Sequence, residues 1–198
     1  PAIGRALGLV ERPEQDTARI IETHLEGRRG LLLLDGFERL LPAVPAIANL
    51  LRRCAGLTLL VTSREALRLR GEHVVEIPPL NLPGPEMRAS AASVGRAEAV
   101  ALLLQRARAV RPGFVLTDAD AEVVASICAR LDGIPLALEL AAVHLKHQSP
   151  LSLLKRLERR LSVLEEGPRD LPVRQRDLRA TIAWSYEGLD PREQSVFR

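Results

Sequence analysis

One carboxylate stands at the end of a short aliphatic run. Residues 31–35 read Leu-Leu-Leu-Leu-Asp, and such a run between two glycines is typical of a parallel strand that is buried on both faces. Because α/β folds bind ligands at the carboxyl edge of the sheet, Asp35 stands where a side chain could hold the water shell of Mg²⁺. The alternative is that Asp35 caps the turn after the strand.

A second set of polar side chains follows the next predicted strand. Residues 57–62 read Leu-Thr-Leu-Leu-Val-Thr, and Ser63 and Arg64 come directly after them. A predicted helix at 42–53 separates the two aliphatic runs, and its length suits a right-handed crossover between adjacent parallel strands. Two hydroxyl groups and a guanidinium beside Asp35 could sense a terminal phosphate. We therefore predict that Asp35 and residues 62–64 meet at one edge of the sheet.

The rest of the pattern predicts the elements that position these residues. Residues 13–27 predict a helix before the first strand, and residues 73–77 alternate well enough to predict a third strand. Prolines at 78, 79, 83 and 85 then end the sheet region. Beyond them the pattern is helical, with helices predicted at about 95–110, 118–131, 134–147, 150–161, 175–188 and from 191 onward. The predicted fold class is α/β with three parallel strands, followed by an all-α region.

Composition bounds the class of protein. The 198 residues are 46% hydrophobic, which is enough to build a core. No apolar run approaches the roughly 20 residues that a transmembrane helix needs. The net charge is +3, and the basic residues are nearly all arginine. Their clusters fall at predicted helix ends or on polar faces, so we expect no direct contact with nucleic acid and none with a membrane. Cys54 and Cys128 stand outside any metal-ligand motif and are expected to be reduced, partly buried thiols of a cytoplasmic protein.

Three segments in one order resemble known motifs. Residues 31–40 resemble a Walker B segment, residues 59–72 resemble a sensor-one strand with its continuation, and residues 131–142 resemble a GxP motif. In this order and spacing the chain resembles the NB-ARC-like STAND P-loop NTPase module of bacterial transcriptional regulators of the LuxR and AfsR types. The resemblance covers nearly the whole chain.

The resemblance implies a set of nucleotide-binding residues. Asp35 would be the magnesium ligand, and Arg64 would lie near the terminal phosphate of ADP or ATP. Pro135, which follows Gly133, would lie against the adenine. The alternative for Gly133 and Pro135 is that they only end one helix and begin the next, because proline fits the first helical turn.

The resemblance also implies a division of the chain. Residues 1–85 would be the carboxyl-terminal part of an NTPase α/β domain, residues 86–171 a helical domain, and residues 172–198 the start of a winged-helix domain. Trp184 and Tyr186 would belong to the first helix of that last domain. Trp184 is expected to pack in a core rather than bind a ligand, since a large aromatic at helical spacing usually packs.

Two features depart from that family. Gly36 follows Asp35 where many ATPases carry a second acidic residue that orients the attacking water, which puts hydrolysis in doubt. The sequence also contains no GxxxxGK[ST] phosphate loop. Because the family carries that loop on an earlier strand, the resemblance implies that this chain is a fragment. We then expect the isolated chain to bind nucleotide with a dissociation constant in roughly the millimolar range or not detectably.

Three classes of function follow from these observations. The first is a nucleotide-dependent regulatory switch, in which ADP or ATP with Mg²⁺ sets the orientation of two domains and the DNA-binding and sensor domains of a longer protein respond. The resemblance also implies that such a module can self-associate when nucleotide binds. The second is a protein-interaction module with a degenerate, non-hydrolysing site. The third is a fragment of an AAA-type ATPase, against which Gly36 argues.

Overall fold

The computed structural model of the protein describes residues 2–9, 16–159 and 194. Contacts between residues divide the chain into two compact units, Pro1–Glu76 and Ile77–Arg198. The helix predicted at 175–188 and the residues Trp184 and Tyr186 lie outside the described residues. No helix in the described ranges combines the length and the apolar character that crossing a bilayer requires.

The first unit alternates helices with two strands. Asp16 begins the second helix of this unit by accepting a hydrogen bond from the Ala18 N–H at 3.0 Å, which satisfies one of the donors that a helix start leaves open. The elements are α1 (Ala2–Ala6), α2 (Thr17–Leu25), β1 (Gly30–Leu34), a 3-10 helix (Phe37–Ala43), α3 (Val44–Arg53) and β2 (Leu57–Val61).

The two strands pair as the sequence predicts. Strands β1 and β2 are parallel neighbours, in a register that runs from Gly30 opposite Leu57 to Leu34 opposite Val61. Helix α3 makes the crossover between them. The prediction of adjacent parallel strands is therefore confirmed.

The prediction of a third strand at residues 73–77 is wrong. The structure has no strand there, and residues 73–79 make no backbone-to-backbone hydrogen bond with any other described residue. Val74 and Val75 are 64% and 82% exposed. Alternation shows only that a segment could form a strand, and a strand exists only where a neighbouring backbone completes the ladder. The sheet of the described residues has two strands.

The expectation that the strands are buried on both faces is also wrong. Leu32 and Leu57 pack against α2 and α3, and Leu34, Leu59 and Val61 pack against the 3-10 helix and α3. Successive side chains of a strand point to opposite faces, and the alternate leucines of this sheet are exposed: Leu31 by 65%, Leu33 by 59% and Leu60 by 54%. The described part of the sheet is covered on one face.

The second unit is helical, and its four long helices are confirmed close to the predicted bounds. Short turns of helix precede them, which the sequence did not predict because segments of three or four residues carry no periodicity. The elements are a 3-10 helix (Pro85–Met87), α4 (Ala91–Val94), α5 (Glu98–Val110), α6 (Asp118–Arg130), α7 (Pro135–His144) and α8 (Pro150–Arg159).

Aliphatic packing between the four long helices holds the second unit together. Leu103, Ile127, Leu138 and Leu153, one from each long helix, are all fully buried in one cluster. Burying such a side chain is worth about 1.5–3 kcal/mol relative to leaving it exposed. On the surface, Arg106 of α5 pairs with Glu139 of α7 at 2.9 Å, although an exposed pair of this kind adds little to stability. The core fixes the unit.

Candidate functional site

The carboxyl ends of the two strands bring Asp35 and Thr62 into contact. The Thr62 hydroxyl donates to Oδ1 of Asp35 at 2.5 Å and accepts the Gly36 N–H at 3.0 Å. The backbone ladder continues past the strands, since the Thr62 N–H donates to Leu34 O at 3.0 Å. The prediction that Asp35 and the segment beginning at Thr62 meet at one sheet edge is confirmed.

Arg64 is held at the same edge by an acidic residue. Its Nε lies 3.6 Å from Oε1 of Glu38, which stands in the first turn of the 3-10 helix that follows Asp35. The Glu38 side chain is 10% exposed and that of Arg64 is 45% exposed. The sequence could not show where Glu38 points, and the structure shows that it faces the guanidinium.

Gly36 has a conformational reason to be glycine. Its φ is 68° and its ψ is 44°, in the left-handed region that residues with a side chain adopt at a cost. This turn lets the chain leave β1 and begin the 3-10 helix while the Gly36 N–H reaches Thr62. Glycine at this position therefore has a backbone explanation.

The loop after β2 is folded by Glu72, a residue that the sequence analysis missed. Its two carboxylate oxygens accept the N–H groups of Leu67 at 2.9 Å and Leu69 at 3.1 Å. Leu67 is 9% exposed and packs with Phe37 and Ile47. In the sequence, the feature that could have indicated this role is a carboxylate, Glu72, directly after the loop glycine Gly71. These bonds fix where the loop with Arg64 leaves the sheet edge.

The chemistry of the edge fits a hydrated magnesium ion better than a metal held mainly by protein ligands. In the described ranges, no group of three or more His, Cys, Asp or Glu side chains is arranged around a common point. Magnesium keeps most of its waters and takes one or two carboxylates. Asp35 is exposed, and no described residue donates to its Oδ2. Its outer oxygen can therefore accept from metal-bound waters.

Gly133 and Pro135 belong to the second unit, and the structure gives each a backbone role. Gly133 has a φ of 65° and accepts the Leu80 N–H at 3.0 Å. A Cβ at Gly133 would lie 2.3 Å from Leu80 O, so only glycine allows this approach. Pro135 is the exposed first residue of α7, where its missing N–H costs nothing. Asp35 and Arg64 lie in the first unit.

The two cysteines are free thiols in the cores of their units. Cys54 is 1% exposed, with its Sγ 3.7 Å from Glu22 O, and Cys128 is fully buried in α6. Burial raises the pKa of the Cys128 thiol to about 12. A thiolate is the reactive form, so Cys128 is a packing residue.

The chain is similar to longer mycobacterial proteins. A Mycobacterium tuberculosis protein named "Putative HTH-type transcriptional regulator" is 38% identical over 195 residues, which is 98% of this chain and 21% of that protein. A Mycobacterium bovis protein of the same description matches to the same extent. An uncharacterized protein of Mycobacterium tuberculosis is 36% identical over 192 residues, 96% of this chain and 46% of that protein. The chain thus spans about a fifth of the first relatives and just under half of the last.

These comparisons correct the assignment made from the sequence. No family model matches the chain, and no solved structure matches it. The relatives are named for a helix-turn-helix and for transcriptional regulation, with no mention of an NB-ARC or P-loop module. The identification with the NB-ARC-like STAND NTPases is therefore wrong. Three short motifs in the same order were not specific enough to identify the family. The relatives' names are consistent with a regulatory role.

Proposed function

We propose that this chain is a regulatory segment of a transcriptional regulator, and that the Asp35 edge responds to ADP or ATP with Mg²⁺. The regulatory part rests on the names of the relatives that match almost the whole chain. The nucleotide part rests on the contact between Thr62 and Asp35 at the ends of two parallel strands. Since bacterial transcription takes place in the cytoplasm, the proposal places the protein there.

Each group at the edge has a distinct task in this proposal. Asp35 accepts hydrogen bonds from the waters of Mg²⁺, and Thr62 orients Asp35 by donating to its inner oxygen. Arg64 binds a terminal phosphate, for which a guanidinium is well suited because it offers paired donors in one plane.

The pair between Glu38 and Arg64 supplies the two states that a switch needs. In the structure, Nε of Arg64 lies 3.6 Å from Oε1 of Glu38. A bound phosphate competes with Glu38 for the same guanidinium, so the position of Arg64 depends on the charge of the ligand. A ligand shifts such an equilibrium only by binding the two states unequally, and a terminal phosphate meets that condition. Transmission to other domains of a longer protein, including self-association, is part of the proposal.

Binding is expected to be weak in this chain. The sequence contains no GxxxxGK[ST] loop, and backbone N–H groups of such a loop make most of the phosphate contacts where one is present. Asp35 and Arg64 supply scattered contacts, so we expect a dissociation constant of roughly 1 mM. Hydrolysis is not proposed, because Gly36 offers no carboxylate for the attacking water and Glu38 faces Arg64.

An NMR titration of the 198-residue chain tests the proposal at this affinity. With ADP and Mg²⁺ at concentrations up to about 10 mM, the amide signals of Gly36, Thr62 and Arg64 should shift in a saturable way. Asp35→Asn keeps the size of the side chain and removes its charge, so it should abolish the magnesium dependence. Glu65→Gln is the matched control, since Glu65 is exposed and its side chain has no described partner. Shifts that are absent, unsaturated or unaffected by Asp35→Asn would refute the nucleotide part.

The second candidate function is a protein-interaction module whose Asp35 edge binds no nucleotide. The observation that favours it is the exposed leucine face of the sheet, where Leu31, Leu33 and Leu60 are each more than half exposed. Contiguous exposed apolar side chains often mark contacts with other proteins. The same titration separates the two candidates, because this one predicts no saturable shift at Gly36 and Thr62.

A further inference from the structure

A pocket of about 600 Å³ lies in the second unit. Its apolar lining comes from α4, α5 and the residue two before α6, and consists of Ala91, Ala92, Ala101, Leu104 and Leu116. Leu104 and Leu116 are 6% and 9% exposed and belong to the hydrophobic core, and they form the floor of the pocket. The volume is in the range of pockets that hold small molecules.

Glycine at position 95 keeps this pocket open. A Cβ at Gly95 would lie 3.0 Å from Ala91 O and 3.9 Å from Cδ1 of Leu104. A side chain there would therefore press on α4 and cover the floor. Ala101, the next small residue of the lining, is exposed on α5 and leaves the space above Leu104 empty.

The charged side chains of the lining are all basic. Arg96 and Arg108 line the pocket, and no acidic residue does. Neither arginine forms an ion pair or a side-chain hydrogen bond with another described residue. The neighbouring carboxylates are engaged elsewhere: Glu98 accepts the Asn81 N–H at 3.2 Å, and Asp118 accepts the Ala91 N–H at 2.7 Å.

We propose that this pocket binds a small amphiphilic anion, with an apolar body on Leu104 and Leu116 and a carboxylate or phosphate group that Arg96 or Arg108 binds. An apolar body is stabilised by contact with the two leucines, and a guanidinium group binds an oxyanion through charge-assisted hydrogen bonds. The proposal is independent of the Asp35 edge, because all of these residues lie in the second unit.

Three probes of equal chain length test the chemistry: octanoate, octyl phosphate and octan-1-ol. Each is titrated into the 198-residue chain while amide signals are followed by NMR. Saturable shifts should centre on Gly95, Ala101 and Leu104 for the two anions. Octan-1-ol should bind about tenfold more weakly, since it lacks the charge that the arginines recognise. The stronger of the two anions identifies a carboxylate or a phosphate as the preferred group.

Two variants separate the charge from the cavity. The double variant Arg96→Gln with Arg108→Gln should weaken anion binding about tenfold and bring it to the level of octan-1-ol. Ala101→Phe should fill the space above Leu104 and abolish binding of all three probes, and its exposed position spares the core. Arg156→Gln on α8 is the matched control, because Arg156 is exposed and outside the lining. Equal binding of octan-1-ol and octanoate, or shifts centred elsewhere, would overturn the proposal.

Discussion

Thr62 and Asp35 join the ends of the two strands through one hydroxyl group. That hydroxyl donates to Asp35 Oδ1 at 2.5 Å and accepts the Gly36 N–H at 3.0 Å. It therefore satisfies a side chain and a backbone group of the turn after β1 at once. An apolar side chain of the same shape would lose both of these hydrogen bonds.

Thr62→Val should destabilise the first unit by about 1 kcal/mol, because valine keeps the shape of threonine and removes both bonds. Thr58→Val is the matched control, since Thr58 is exposed on the same strand and its hydroxyl makes no described hydrogen bond. Urea unfolding, followed through the amide signals of Leu32 and Leu59, measures the change in this unit. Equal effects of the two substitutions would show that the hydroxyl of Thr62 contributes nothing specific.

Gly133→Ala should destabilise the second unit by about 2–4 kcal/mol. Two causes add: the φ of 65° is unfavourable for alanine, and the new Cβ would lie 2.3 Å from Leu80 O. Gly113→Ala is the control, because a Cβ at Gly113 meets nothing within 4 Å. Circular dichroism during urea unfolding reports the loss of helix. A Gly133→Ala variant as stable as Gly113→Ala would contradict the close approach to Leu80.

Cys128 should make the stability of the second unit fall at alkaline pH. Burial raises the pKa of this thiol from 9.0 to about 12, so the unfolded thiol ionises first as the pH rises. The contribution is fully present below pH 9 and is lost between pH 9 and about 12, at about 1.4 kcal/mol per pH unit.

The test compares the wild-type chain with the Cys128→Ala variant, which lacks this thiol and keeps every other titratable group. From about pH 8 to about pH 10, the free energy of unfolding should fall by about 1 kcal/mol more in the wild type than in the variant. Parallel pH profiles for the two proteins would mean that the thiol ionises equally readily in the folded and unfolded chains.

Limited proteolysis should cut between the two units. Residues 73–79 make no backbone-to-backbone hydrogen bond with other described residues, and Val75 is 82% exposed. Among the described residues, a glutamyl endopeptidase should therefore cut first after Glu76, since exposed backbone without hydrogen bonds adapts most easily to a protease. Mass spectrometry identifies the cut. Glu76→Gln should remove this product, and an earlier cut within α5, α6 or α7 would contradict the division of the chain.

The sequence predicts an element well where a single property, such as apolar periodicity or the length of a connection, determines it. Helices α5 to α8 carry long apolar periods, and the crossover between β1 and β2 follows from the length of α3, so these elements are found near their predicted positions. The meeting of Asp35 and Thr62 follows in turn, because parallel strands end at one edge.

Other features depend on partners that a linear pattern cannot display. Residues 73–77 alternate like a strand, yet no described backbone pairs with them. The aliphatic run of β1 predicts burial on both faces, but alternate leucines are exposed because α2, α3 and the 3-10 helix cover one face. The bonds of Glu72 to Leu67 and Leu69 and the pairing of Glu38 with Arg64 are tertiary facts of the same kind.

The left-handed turn at Gly36 limits how this edge could evolve. A single base change converts a glycine codon to one for aspartate, glutamate, alanine, valine, serine, cysteine, arginine or tryptophan. At a φ of 68°, most of these residues strain the backbone, whereas aspartate is among the few that visit this conformation. A lineage that gained a carboxylate next to Asp35 would therefore do so through aspartate, whose short side chain reaches less far toward a ligand than glutamate does.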